Sequence, residues 1–88
     1  MQFTYFPKDV CSVKIDMDIQ NGVISNVRFT RGCNGNLKAI SKLVDGMTVD
    51  EIESKLLGNT CGSNYTSCAD QLAKAVRAAA AAEQSQSV

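Results

Sequence analysis

The stretch CSVKIDMDIQNGVISNVRFT, Cys11 to Thr30, reads as a β-hairpin. Val13, Ile15, Met17 and Ile19 alternate with Ser12, Lys14, Asp16 and Asp18, the period-two pattern of a strand with one buried face. Asn21-Gly22 follows, and both residues tolerate positive φ, which signals a tight turn. The return strand places Val23, Val27 and Phe29 on one face. Upstream, FTYF (Phe3 to Phe6) forms a short edge strand stopped by Pro7. Cys11 shares the parity of Val13, Ile15 and Met17, so its side chain is expected to face whatever covers the sheet.

Beyond the hairpin the periodicity changes to that of helices. Leu37, Ile40, Leu43 and Val44 form an apolar stripe that ends at Gly46, a suitable C′ residue. Thr48 and Glu51 then form a capping box, with Met47 and Ile52 placed as a hydrophobic staple. Val49, Ile52 and Leu56 continue that helix to Gly58. A third helix is expected from Thr66 or Ser67 through the alanine-rich AKAVRAAAAA. Asp70 near its start and Arg77 farther along suit the helix dipole. The expected fold is therefore α+β: a small antiparallel sheet, made of the hairpin plus an N-terminal edge strand, followed by three helices. Residues 1–82 form the single domain, and 83–88 a polar tail expected to fray.

Composition narrows the function. The chain has 88 residues, formal net charge zero and nine basic residues. These are scattered along the chain, without an aromatic platform between them, which argues against nucleic acid. The N-terminus lacks the charged and apolar regions of a signal peptide. No stretch is long and apolar enough to cross a bilayer. A reducing, cytoplasmic setting is thus expected, where four cysteines serve metal or redox chemistry more often than disulfides. Histidine is absent, so a metal would be held by thiolates, which favours zinc or an iron–sulfur cluster.

The four cysteines occupy distinct contexts. Cys33 ends a strand between Gly32 and Gly35, where Asn34 or Asn36 can cap the helix that follows. Free N–H groups and the positive dipole end favour a thiolate at such a place. Cys68 repeats the arrangement in the first turn of the last helix, behind Ser67 and before Asp70. Cys61 lies seven residues earlier beside Gly62, and Cys11 starts a strand. Cys61-x6-Cys68 is not a zinc-knuckle spacing, so a metal site rests on all four thiols converging, each at about 2.3 Å from one zinc. Nucleophilic catalysis fits less well, since no histidine can serve as base. Three readings remain open: a four-cysteine metal site, a dithiol relay in which Cys61 and Cys68 cycle with Cys33 as attacker, and cysteines that only pack in a partner-binding domain.

Two resemblances bear on these readings. CSVKIDMDI (11–19), GVISNVRFTRGCNGNLKAISKLVDGM (22–47) and CGSNYTSCADQLAKAV (61–76) resemble the TSCPD domain family. Its Thr-Ser-Cys-Pro-Asp motif is matched by Thr66-Ser67-Cys68-Ala69-Asp70, with Ala69 in place of proline. The family includes small free-standing proteins and a C-terminal domain of cobalamin-dependent ribonucleotide reductases. The resemblance implies an accessory or regulatory role, with a ribonucleotide reductase or another redox protein as partner, and a homodimer as one arrangement. A reductase activity would be inherited from the larger enzyme, because this chain has no room for its barrel.

The second resemblance is to the NifU-type iron–sulfur scaffold fold, through GVISNVRF, the Gly-Cys pair at 32–33, DGMTVDE (45–51) and a late cysteine opening an alanine-rich helix. It implies Cys11, Cys33 and Cys68 as cluster ligands, with Cys61 additional. This chain has Cys11-Ser12-Val13 where the scaffold has Cys-Gly-Asp. It also lacks the scaffold's chaperone-recognition segment.

Overall fold

The computed structural model describes residues 1–8, 10, 12–31, 34–58 and 67–86, with backbone alone for 34–36 and 86. Strands β1 (Gln2–Tyr5), β2 (Lys14–Gln20) and β3 (Val23–Thr30) form one antiparallel sheet in the order β1-β2-β3. Helices α1 (Asn34–Val44), α2 (Val49–Leu56) and α3 (Cys68–Gln86) follow. The α+β arrangement is the expected one.

The hairpin turn is built as its sequence demands. Asn21 and Gly22 both take positive φ, +52° and +77°. That geometry matches the twist of the two strands. Ile15, Met17 and Ile19 are buried, as the alternation requires. Two positions depart from it. Ser12 is buried and Val13 half exposed, because β2 begins only at Lys14 and the alternation does not extend ahead of it.

On β3 the core residues are Ile24 and, as expected, Val27, whereas Val23 lies at the surface. The cause is a bulge. Asp16 pairs with Arg28 and Asp18 with Ser25, so two steps on β2 oppose three on β3. Asn26 takes φ +52° there. Its side chain donates to Asp18 (2.8 Å), and its N–H donates to Asp45 (3.1 Å). The extra residue switches the pleat, which brings Ile24 and Val27 to the same face although they are three apart.

The helices close over this face. Leu72, Ala75, Val76 and Ala79 of α3 recur at helical spacing and are buried. Together with Val44, Val49 and Ile52 they join the sheet residues in one core. The small alanines allow α3 to approach β1 and β2 closely, while α1 packs along β3 and α2 against α3. On α1, Leu37 and Val44 are buried and Ile40 half-buried. Leu43, expected in the stripe, is 71% exposed because it lies about 100° around the helix from Val44.

Helix α2 starts with the expected box. The Thr48 hydroxyl accepts from the Glu51 N–H (3.2 Å), and the Glu51 carboxylate accepts from the Thr48 N–H (3.0 Å). The bonds from Thr48 hold the Glu51 carboxyl below its usual pKa. Across the α2–α3 seam, Arg77 grips Asp50 (2.7 Å) and Glu53 (2.6 Å), which lowers the pKa of Glu53 and raises that of the guanidinium. Helix α3 runs on to Gln86, so 83–86 are helical and not the frayed tail expected. Glu83 explains the extension. Its carboxylate accepts from the N–H groups of Asn21 (2.7 Å) and Gly22 (3.0 Å), locking the helix end to the hairpin turn.

Candidate functional site

The first turn of α3 is bonded to residues far away in sequence, Lys8, Ser12 and Gly58. Ser67 caps it: its hydroxyl accepts from the Asp70 N–H (3.1 Å) and its carbonyl from the Gln71 N–H (2.9 Å). Cys68 occupies the next position, half-buried and without a disulfide. Its sulfur lies 3.4 Å from the hydroxyl of buried Ser12, the residue that follows Cys11 in the chain.

Asp70 is 3% exposed, and its carboxylate accepts from the N–H of Gly58 at 2.7 Å. Lys74, one turn on, lies 3.4 Å away. The negative charge also suits the positive end of the helix. Gln71 is buried and accepts from the Lys8 N–H (3.1 Å). Beside this cluster, the Val13 N–H donates to the Thr30 carbonyl at 2.9 Å, which ties the chain ahead of β2 to the end of β3.

Bonded residues lie within three positions of each cysteine in the sequence. Ser12 adjoins Cys11, Thr30 precedes Cys33 by three residues, Gly58 precedes Cys61 by three, and Asp70 follows Cys68 by two. Of the expected site residues, Ser67, Cys68 and Asp70 are described, as sequence neighbours at the start of α3. Cys11, Gly32, Cys33 and Cys61 lie outside the described residues, and Gly35 and Asn36 are described as α1 backbone alone. Among the described residues no three metal-ligating side chains come together. Nor is any helix there long and apolar enough to cross a membrane.

Sequence reasoning missed Ser12 and Gln71, since parity assigned Ser12 to the outer face and nothing local marks Gln71. It also missed a second feature. A cleft of about 320 Å³ between β3 and α1 is floored by Val27, Phe29 and Leu37 and rimmed by Arg28, Arg31, Lys38 and Lys42. The available signal was Lys38 and Lys42, four apart on α1 without an acidic residue between them.

A three-stranded sheet with three following helices, and a capped cysteine opening the last of them, defines a small α+β cysteine domain. A family model described as the TSCPD domain matches residues 2–80. The chain belongs to the TSCPD domain family. Comparison with curated proteins and with solved structures gives no match, so the likeness to the NifU-type scaffold gains no support there.

Proposed function

We propose that this domain binds one zinc ion or iron–sulfur cluster through Cys11, Cys33, Cys61 and Cys68, and serves as an accessory or regulatory module without catalysis of its own. One observation carries the reading: Ser12, beside Cys11, is bonded to Cys68, and Gly58, three residues before Cys61, to Asp70, while Val13, two residues after Cys11, is bonded to Thr30, three residues before Cys33. These bonded residues come from positions as far apart in the sequence as Ser12 and Asp70. The donor set fits the group. Four thiols in a chain without histidine suit zinc or iron in preference to harder cations.

Bound zinc would supply cross-linking and no redox chemistry, whereas a cluster would supply electron transfer. The chain's own residues do the holding. Ser67 fixes the helix start that carries Cys68, Ser12 offers a hydroxyl to its sulfur, and Asp70 pins the exit of α2. A dithiol relay serving a ribonucleotide reductase or other redox protein is the second reading, favoured by the partial exposure of Cys68 at a helix start.

The test is a set of four single variants, each cysteine to serine, purified without air. Each is expected to lose most of its metal, because three thiolates hold it far less tightly than four, and to unfold at lower denaturant concentration. Wild-type metal content in all four variants would end the proposal. A reversible Cys61–Cys68 disulfide in a metal-free wild type would favour the relay.

A further inference from the structure

The cleft between β3 and α1 is lined by none of the residues bonded around the first turn of α3. Arg28 and Arg31 stand on its strand side, and Lys38 and Lys42 on its helix side. Together they are four of the nine basic residues in a chain of zero net charge. All four side chains are exposed, and none forms an ion pair with a described residue. By contrast, Lys14, Lys74 and Arg77 all have carboxylate partners. Lys38 and Lys42 are also a like-charge pair one turn apart, an arrangement that weakens an isolated helix. An anionic occupant would turn that cost into a gain.

The shape restricts what the occupant is. At its Lys42 end the cleft continues into a second hollow of about 370 Å³ lined by Asn26, Val27, Ser41, Lys42 and Asp45. The result is an open groove along the bulged strand and α1. Small ligands are held by burying most of their surface, which an open groove does not do. An extended chain suits it better, with acidic side chains reaching both cationic rims and apolar ones resting on Val27, Phe29 and Leu37. Nucleic acid fits less well: four cations make a small footprint for a phosphate backbone, and Asp45 stands at the end of the groove.

We infer that the β3–α1 groove docks an acidic segment of a partner protein, with carboxylates and apolar side chains interleaved.

The experiment measures fluorescence anisotropy with a labelled peptide of alternating glutamate and leucine, and with its glutamine counterpart. Wild type is expected to bind the glutamate peptide, more weakly as salt rises, and the glutamine peptide at least roughly tenfold less tightly. The double variant Lys38→Glu/Lys42→Glu should lose roughly tenfold or more in affinity, while Lys55→Glu on α2 changes little. Since all three lysines are exposed, unfolding curves of the variants should overlay that of wild type. No binding, equal binding of the two peptides, indifference to the double variant, or tighter binding of a single-stranded oligonucleotide of equal charge would each overturn the inference. So would self-association through this face that the peptide fails to displace.

Discussion

Ile24→Ala is expected to lower the unfolding free energy by about 2–5 kcal/mol, whereas Val23→Ala should cost less than about 1 kcal/mol. The residues are adjacent and chemically alike, so the contrast isolates their surroundings. Ile24 is fully buried against the helices, and truncating it leaves a cavity that a close-packed core fills only in part. Val23 is 37% exposed and sheds little buried surface. A domain of this length has a total stability of about 4–13 kcal/mol, so the first variant removes a large share of it. Urea titrations of both variants, compared at equal slope, give the answer. Equal losses would mean that the bulge at Asn26 does not set the register.

Asp70→Ala is expected to cost about 2–3 kcal/mol and to lower the metal content of the protein. Its buried carboxylate is the acceptor for the Gly58 N–H, and hydrogen bonds to charged groups rank among the stronger ones. The Lys74 contact contributes less, because that ammonium is largely in water. Asp70→Asn keeps an oxygen for Gly58 and should recover most of the stability and the metal. The pair of variants separates the hydrogen bond from the charge. Loss of stability with full metal retention would show that the tie between α2 and α3 does not position the cysteines.

The legible parts of this fold are local. Asn21-Gly22 announces the turn, Thr48 and Glu51 announce α2, and the Thr66-Ser67 pair announces α3, because each acts within three or four residues of itself. The missed features come from distant partners. Parity chose Val23 over Ile24 because it has no means of placing the extra residue at Asn26, whose bulge depends on Asp18 and Asp45. Leu43 looked apolar enough for the stripe, yet its side chain is largely exposed on α1. Glu83 read as the start of a tail, since its partners at the hairpin turn are about sixty residues away in sequence.

The candidate site divides along the same line. The Thr66–Asp70 motif was visible, and the family model that matches residues 2–80 spans it. Ser12, buried against Cys68, was assigned to the wrong face. The cationic groove combines two residues of the β3 end with two of α1, so it emerges only when the helix packs along the strand.

The central claim is that four thiols share one metal. Its most direct test is elemental analysis of protein purified without air, with an absorption spectrum and a count of reactive thiols on the same sample. One zinc per chain, or iron with cluster absorption, and thiols that react only after the metal is removed is the predicted result. Four freely reactive thiols and no metal would contradict it, leaving Cys68 and its helix cap as a candidate for redox exchange instead.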